Sequence, residues 1–246
     1  MSEWDFPGPI ARGAKGRPAR QVQEWLCLQG FNVVIDADFG PATRAAVQAF
    51  QSRAGLAPSG TVNQGTWAAL VQPMTDAVAE IAPGKRTLGQ LAVAYAKQHL
   101  VQNPREVGGQ NRGPWVRLYM KGNDGAEWPW CAGFVCYLLR QAAGTLGSSM
   151  PLAYTFSCDS LAAEAKTDGV FLDGRKQIAP SQLSSGSLFL LRRTPLDWTH
   201  TGMVVSAAPQ TFETIEGNTN DSGEREGYEV CARVRGYDDK DFAVIQ

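Results

Sequence analysis

The strongest candidate nucleophile of this chain is Cys131, one of five cysteines. It lies in the segment WPWCAGFVCYLL, where Pro129 precedes the start of an apolar helix. Backbone N–H groups at a helix start are unpaired, and with the helix dipole they stabilise a thiolate and lower its pKa. The alternative is a buried packing residue, because free cysteine is among the most buried residue types. That role is expected for the other four, Cys27, Cys136, Cys158 and Cys231.

A thiol nucleophile needs a base, and the sequence contains two histidines. His200 lies in DWTHTGMVV at the head of a predicted strand, where small neighbours let its ring face a cleft. His99 shares the apolar face of a predicted helix with Leu88 and Tyr95, so we expect it to pack. The sequence has no HExxH, and a catalytic zinc usually takes three protein ligands, so we expect no metal and no cofactor.

A third polar group must hold the imidazole in the tautomer that accepts the thiol proton. The strand predicted after that of His200 ends in IEGNTN, where Glu216 and Asn218 alternate with Gly217. Alternate strand residues face one side, so both side chains can face a histidine on the neighbouring strand. We favour Glu216, because a carboxylate also stabilises the imidazolium, and expect Asn218 to be a support or a substrate contact. The alternative is an ordinary polar strand end leading into a turn.

Helices precede strands in the half of the chain that contains these residues. Hydrophobic periodicity predicts helices over 87–101, near 115–121 and from Trp130 onward. After about residue 185 the period changes to two, which predicts the strands SLFLLRR, TGMVVSAA, TFETIEG and YEVCARVRGY. In the last strand, one face carries Tyr228, Val230, Ala232 and Val234, opposite Cys231. Helices followed by antiparallel strands indicate an α+β domain.

The N-terminal part is expected to form a separate small helical unit. Helices are predicted at 18–29, before Gly30, and at 41–53, which begins with Pro at its first position. A third begins near Asn63, a residue type that caps helix starts. We therefore divide the chain into 1–12 (a flexible tail), 13–71 (three helices), 72–86 (a linker with Pro and Gly) and 87–246.

Composition limits the partners of this chain. The formal net charge is −1, so general nucleic-acid binding and attraction to a membrane surface are not expected. The sequence has no run of about 18 apolar residues. The start MSEWDFPGPIARG has acids where a signal peptide has a basic segment, so we expect cytoplasmic synthesis without a signal peptide. We also expect a monomer. The thiols are expected to be reduced, because an odd number of widely spaced cysteines does not suit a disulfide framework.

Residues 13–71 resemble the small peptidoglycan-binding domain attached to many wall hydrolases. The matching segments are VQEWLCLQGF, D-x-DFGPATRAAVQAFQ and G-x-VNQGTWAAL. The resemblance implies that bacterial peptidoglycan is the partner and that the surface beside the FGPxT turn binds it. The residues expected there are Asp38, Phe39, Gly40 and Thr43, with a core position as the alternative for Phe39.

Residues 87–246 resemble the CHAP domain, a family of cysteine- and histidine-dependent amidohydrolases and peptidases. The resemblance lies in WC-AGFV, HTGMVV, the E-G-N triplet, and EVGG-x-NRG at 106–113, which is similar to a stretch before the catalytic cysteine in one branch. It implies a papain-like α+β domain with N-terminal helices and an antiparallel sheet, following a small three-helix bundle. The implied catalytic residues are Cys131, His200, Glu216 and Asn218. The expected substrate contacts near them are Asn111, Trp130 and Trp198. The stretch from Gly144 to Ser184 has no match.

Together the two resemblances imply a peptidoglycan hydrolase that cuts an amide bond of the stem peptide through a thioester. It would be an N-acetylmuramoyl-L-alanine amidase or an endopeptidase, and we expect a bacteriolytic endolysin acting on the wall after release. The alternatives are a wall-degrading effector delivered by a secretion system, a non-catalytic wall-binding protein, and a cysteine protease of protein substrates. A glycosidase using a carboxylate pair such as Glu106 and Glu127 is a further alternative.

Overall fold

Helices form the first part of the protein and strands the second, in a mixed α+β architecture. The computed structural model describes residues 2–220 and 227–245. Within these ranges the helices are α1 (Arg17–Leu28), α2 (Pro41–Arg53), α3 (Gln64–Val78), α4 (Leu88–Val101), α5 (Pro114–Tyr119), α6 (Cys131–Leu146) and α7 (Cys158–Thr167). The strands are β1 (Phe171–Leu172), β2 (Leu188–Thr194), β3 (Asp197–Ala207), β4 (Thr211–Thr219), β5 (Glu229–Gly236) and β6 (Lys240–Ala243). They form one antiparallel sheet in the order β1-β6-β2-β3-β4-β5.

Two of the N-terminal helices begin at the residues that the sequence marks as helix starts. Pro41 occupies the first position of α2, where a missing N–H costs no intrahelical hydrogen bond. Asn63 caps α3, because its side-chain oxygen accepts the backbone N–H of Thr66 at 2.9 Å. The inward faces of α1 to α3 share core residues, which are Val22, Trp25, Leu26, Val47, Phe50, Trp67 and Leu70.

Helix α3 extends further than the sequence predicts. It continues through Pro73 to Val78, so the first part of the expected linker, 72–86, is helical. A proline inside a helix removes a hydrogen bond and costs about 3 kcal/mol. Beyond it Met74 and Ala77 are completely buried, and this burial offsets the cost. The connection between α3 and α4 therefore shortens to residues 79–87.

The N-terminal segment is packed, which corrects the expectation of a flexible tail at 1–12. Ile10 is buried and exchanges backbone hydrogen bonds with Val62 at 3.0 and 2.8 Å. The carbonyl of Trp4 accepts the indole N–H of Trp67 at 2.9 Å. The prolines and glycine of this segment form turns, and the apolar side chains between them find partners on the helical unit.

A buried cluster of charges joins the N-terminal helices to the second half of the chain. Arg117 on α5 pairs with Glu3 at 2.8 Å, with Glu24 on α1 at 2.6 Å and with Asp124 at 3.0 Å. The side chain of Glu24 is completely buried and also pairs with Arg20 at 2.8 Å, so two cations compensate this buried charge. The apolar core is also continuous, because Trp25 contacts Trp115 with ring centroids 6.2 Å apart. The two halves therefore share one core.

Helix α6 packs across β3 and β4 and fixes the strands that carry the candidate histidine and carboxylate. All its residues from Cys131 to Leu139 are buried. The packing is tight at Gly217 on β4, where a Cβ would lie 2.7 Å from a ring carbon of Trp130 and 2.8 Å from Phe134. A larger residue at 217 would push α6 away from the sheet.

The last predicted strand is present as β5, but the face that we expected to be apolar is mostly exposed. Tyr228 and Val234 are 51% and 67% exposed, whereas Cys231 and Arg235 on the other face are half-buried. Strand β5 lies at an edge of the sheet, and its inner face meets the buried carboxylate of Glu216. A buried carboxylate needs a charged partner, which here is Arg235. The face of β5 that carries Arg235 therefore turns inward.

Three elements were not predicted. Helix α7 and strand β1 lie in the unmatched stretch 144–184, and β6 follows the last predicted strand. Helix α7 packs against β3, which brings its first residue, Cys158, to the start of α6. In the part of the chain that the structure describes, no helix is both long and apolar enough to span a bilayer.

Candidate active site

Cys131 is the first residue of α6 and is 5% exposed. No side chain caps this helix, so its dipole and the first-turn N–H groups that lack intrahelical partners favour negative charge at its first residue. The pKa of Cys131 lies well below its usual value. The hydrogen bond from Cys158 is the largest cause, and His200 and the backbone N–H of Thr201 lower the pKa further against the opposing effect of burial. The site therefore favours a thiolate.

His200 lies between Cys131 and Glu216. Its Nε2 is 2.8 Å from Glu216 Oε2, and because an ionised carboxylate only accepts, Nε2 carries the hydrogen. Its Nδ1 is buried and has no hydrogen-bond partner of good geometry among the described residues, and the side chain of Cys131 interacts with the imidazole. Burial lowers the pKa of His200, but the contacts with Cys131 and Glu216 outweigh burial and raise the pKa to about 9. The geometry thus supports an imidazolium beside a thiolate.

Glu216 is completely buried and both its oxygens are held. Arg235 donates twice, from Nε to Oε1 at 2.8 Å and from Nη2 to Oε2 at 2.6 Å. The hydroxyl of Thr214 donates to Oε1 at 2.6 Å. Burial raises the pKa of Glu216, yet the hydrogen bonds from Arg235 and His200 outweigh it and lower the pKa to about 2. Glu216 therefore presents a fixed negative charge to the imidazole at neutral pH.

Asn218 holds the start of the nucleophile's helix and does not contact the histidine. Its Oδ1 accepts the backbone N–H of Trp130 at 2.6 Å, and its Nδ2 donates to the Gly227 carbonyl at 2.8 Å. A register shift between Glu216 and Thr219 and a φ of +56° at Asn218 interrupt the strand alternation. The expectation that Glu216 and Asn218 both face the imidazole is therefore wrong.

Segment 106–113 folds back onto the residue before Cys131. Glu106 accepts the indole N–H of Trp130 at 2.9 Å and the backbone N–H of Asn111 at 2.7 Å. Trp130 and Asn111 are both completely buried, and Trp130 stacks on Tyr119 with ring centroids 5.5 Å apart. Neither side chain reaches the surface, which corrects their assignment as substrate contacts. They support the loop that carries the nucleophile.

Trp198 lies two residues before His200 on β3 and lines a cavity of about 480 Å³. Its indole N–H donates to Asp241 at 2.8 Å, and the Lys166 ammonium lies 4.2 Å from the ring centroid. The cationic residues that line the cavity are Lys166, Arg175, Lys176 and Arg192. Trp198 is 6% exposed, so it can offer only an edge to a substrate that extends along β3.

Two of the four residues expected to bind peptidoglycan face inward. Phe39 is completely buried, and Thr43 accepts a hydrogen bond from Gln23 beneath the surface at 3.2 Å. Asp38 is exposed and pairs with Lys15 at 3.0 Å, and Gly40 is half-buried. The surface beside the FGPxT turn therefore offers Asp38 and Gly40, and the expectation for Phe39 and Thr43 is corrected.

The sequence interpretation missed three groups at the site. Cys158, expected only to pack, has its Sγ 3.8 Å from Cys131 Sγ. Thr214 and Arg235 both bind the carboxylate of Glu216. Thr214 could have been found from the sequence, because it lies two residues before Glu216 and so shares its strand face. Nothing in the sequence places Cys158 or Arg235 near the nucleophile.

Comparison with known proteins bears on the N-terminal part. Residues 15–70 match the family described as "Putative peptidoglycan binding domain". The zinc D-Ala-D-Ala carboxypeptidase of Streptomyces albus G is 37% identical over 76 residues, which are 30% of this chain and 30% of that protein. The chain therefore spans less than a third of this curated relative's length.

Two solved structures resemble parts of the chain. The SleB N-terminal domain is 32% identical, covering 27% of this chain and 93% of that one, with a TM-score of 0.27. The Burkholderia AP3 phage endolysin is 26% identical, covering 44% of this chain and 41% of that one, with a TM-score of 0.25. Scores this low give no support to a shared fold. The family match supports a peptidoglycan-binding domain at residues 15–70 of this chain.

Proposed function

We propose that this chain is a peptidoglycan hydrolase that cuts an amide bond of the stem peptide, with Cys131 as its nucleophile. The observation that carries the proposal is the buried line from Cys131 through His200 to Glu216, in a chain with a peptidoglycan-binding domain. A cysteine at a helix start, facing a histidine and an acid on adjacent antiparallel strands, is also the arrangement implied by the resemblance of residues 87–246 to papain-like CHAP domains.

The reaction begins from a thiolate–imidazolium pair, because the pKa of Cys131 is low and that of His200 is about 9. The thiolate attacks the carbonyl carbon of the scissile amide, and the N–H of Cys131 stabilises the oxyanion. His200 gives its proton to the leaving nitrogen, the C–N bond breaks, and a thioester forms. Nδ1 of His200 then takes a proton from water, which attacks the thioester and releases the acid and the thiol.

The groups around the dyad keep it in this geometry. Glu216 fixes the tautomer of His200 and stabilises its charge, and Arg235 and Thr214 keep the carboxylate in place. Asn218 holds the backbone of Trp130 and thereby the first turn of α6. We assign Glu216 the orienting role and Asn218 a supporting one.

Other hydrolytic chemistries fit the residues less well. The carboxylate of Glu106 is occupied by Trp130 and Asn111, and Glu127 is exposed, so this pair does not form a glycosidase site. Among residues 2–220 and 227–245, no three His, Cys, Asp or Glu side chains are grouped as metal ligands would be. The thiol is therefore the group we propose to attack the substrate.

We propose that the protein acts on the wall as a bacteriolytic endolysin, cutting either the N-acetylmuramoyl-L-alanine bond or a bond within the stem. The alternative is a wall-degrading effector delivered by a secretion system. The chemistry at Cys131 is the same in both cases, so the test of the mechanism does not depend on this choice.

The decisive experiment digests purified sacculi with the full-length protein and with its Cys131→Ser and Cys136→Ser variants. Cys136 is the matched control, because it is buried in the middle of α6 and burial raises its pKa to about 11. We expect loss of lysis with Cys131→Ser only, together with resistance to EDTA and sensitivity to a thiol alkylator.

Mass spectrometry of the released fragments identifies the bond. Free stem peptides indicate an amidase and shortened stems an endopeptidase. New reducing sugar ends, or full lysis by Cys131→Ser, would overturn the proposal. No lysis by any form, with binding to sacculi retained, would indicate a non-catalytic wall-binding protein.

A further inference from the structure

A second thiol lies against the proposed nucleophile. Cys158 Sγ is 3.8 Å from Cys131 Sγ, and Cys158 is 8% exposed. Cys158 is the first residue of α7, whose cap Ser157 accepts the backbone N–H of Ser160 at 3.2 Å. Two helix N-termini therefore meet at one pair of sulfur atoms, and both favour negative charge there.

The two thiols differ in their other neighbours. His200 and the N–H of Thr201 stabilise negative charge on Cys131, whereas Asp159 disfavours it on Cys158. The pKa of Cys131 is accordingly well below its usual value, and that of Cys158 is well above, mainly because its hydrogen bonds to Cys131. At rest Cys158 is a thiol that donates to a thiolate.

We propose that Cys131 and Cys158 form an oxidative modification site, in which Cys158 resolves the oxidised nucleophile as a reversible disulfide. The proposal rests on the reactive thiolate of the proposed function. A thiolate at the centre of a hydrolase is also the group that peroxides oxidise, and a sulfenic acid without a nearby thiol proceeds to irreversible forms. Cys158 is close enough to intercept it.

The chemistry balances with a hydroperoxide as the oxidant. The thiolate of Cys131 attacks the terminal peroxide oxygen, the O–O bond breaks, and the alkoxide takes the proton of His200 to leave as an alcohol. The neutral imidazole then takes the proton of Cys158, whose sulfur attacks Cys131. The S–S bond forms, the S–O bond breaks, and hydroxide takes the proton back from His200 and leaves as water.

The geometry requires a small adjustment only. A disulfide has an S–S length of about 2.05 Å, so the sulfur atoms must approach by roughly 2 Å. Residues 148–157, between α6 and α7, contain no helix or strand, so the N-terminus of α7 can move by this amount without breaking a ladder. Cys136 is the next cysteine on α6 and contacts the Ala153 carbonyl at 4.0 Å, away from the pair.

The test treats the full-length protein, Cys158→Ser and the control Cys136→Ser with tert-butyl hydroperoxide, and then with a small dithiol. Each form is compared with its own untreated activity on sacculi. Peptide mapping reads the state of each cysteine. We expect the unchanged protein and Cys136→Ser to lose activity, to show a peptide linked through residues 131 and 158, and to recover with dithiol. Cys158→Ser should carry sulfinic or sulfonic acid at Cys131 and stay inactive.

Equal recovery of the unchanged protein and Cys158→Ser would overturn the proposal, as would over-oxidised Cys131 in the unchanged protein with no 131–158 link. The peptide map does not depend on hydrolysis. A protein that forms the link but lyses no sacculi would refute the proposed function and leave the modification site standing.

Discussion

The two histidines of the chain are both buried, yet their surroundings drive them to opposite protonation states. His99 lies between the Tyr119 hydroxyl at Nδ1 and Gln141 Oε1 at Nε2, both at 2.9 Å, within an aromatic cluster. An amide oxygen only accepts, so Nε2 carries hydrogen and the neutral ring satisfies both partners. Burial lowers the pKa of His99 to about 4.

His200 has the same degree of burial but charged neighbours. Its partners are a thiolate and a carboxylate, and they raise its pKa to about 9 in spite of burial. Burial alone thus does not set the charge of a histidine, since the charge of its hydrogen-bond partners decides which form is stable. The neutral His99 is suited to packing, and the charged His200 is suited to the proton transfer of the proposed function.

The largest expected effect separates the two histidines directly. His200→Ala removes the proposed base and should lower kcat/KM on a purified muropeptide by at least about 10³-fold, close to the loss in Cys131→Ser. His99→Gln should keep turnover within about threefold and lose on the order of 2–4 kcal/mol of stability, because it disrupts a buried hydrogen-bonded site. Turnover and urea unfolding of both variants decide this. Comparable losses of turnover would remove the functional distinction.

The next effect tests the charge that distinguishes His200. Glu216→Gln keeps the shape of the side chain but removes the carboxylate, and turnover should fall on the order of 10²–10⁴-fold. Asn218→Ala should cost less, because Asn218 holds the Trp130 backbone and not the imidazole. Steady-state kinetics on one muropeptide compare the two. A larger loss at Asn218 would show that positioning the helix matters more than charging the histidine.

The sequence predicts that Glu216 faces His200 from the neighbouring strand, because this depends on local spacing, but not the break in alternation that turns Asn218 toward Trp130. The partners from distant segments were not predictable. Arg235 is on an edge strand whose charged face looks solvent-exposed in sequence, and only the pairing of β4 with β5 brings it to Glu216. Cys158 lies 27 residues after Cys131, in a stretch without a recognisable pattern.

For two aromatic residues, the sequence predicted ligand contacts that the structure does not show. Trp130 and Phe39 were expected to contact ligands, but both are completely buried, since a large aromatic side chain suits a core as well as a binding surface. Burial is decided by neighbours that are remote in sequence. The structure brings the proposed reacting groups together, whereas it buries aromatic residues that residue type alone suggested for binding surfaces.

A third prediction concerns the stability of the neutral histidine. The pKa of His99 is about 4 in the folded protein and about 6.5 when unfolded, so the unfolded state binds more protons between these values. Its contribution is complete above pH 6.5 and is lost as the pH falls toward 4. From about pH 7.5 to about pH 5 the contribution of His99 to the free energy of unfolding should drop by about 2 kcal/mol.

Urea unfolding of the unchanged protein and of His99→Gln at the two pH values isolates the contribution of His99. Between the two pH values, the free energy of unfolding should change less favourably in the unchanged protein than in the variant, by about 2 kcal/mol. His200 is common to both proteins, and because its folded pKa is raised, its own stabilisation grows as the pH falls from about 7.5 to about 6.5 and cancels in the comparison. The same drop in both proteins would mean that His99 is not held neutral.

The smallest expected effect is that of Arg235, whose positive charge lies beside the Glu216 carboxylate that faces His200. Its two hydrogen bonds fix Glu216, and its positive charge offsets part of the carboxylate's attraction for the imidazolium. Arg235→Met should therefore lower kcat about tenfold and move upward the alkaline limit of kcat/KM, which we expect near pH 9 in the unchanged protein. Arg235→Lys keeps the charge without the two-point contact, so it should lose turnover while its alkaline limit stays in place. Full pH profiles of both variants distinguish charge from geometry. If both alter turnover and neither moves the limit, Arg235 is only a structural support, and the pKa of His200 is set by Cys131 and Glu216 alone.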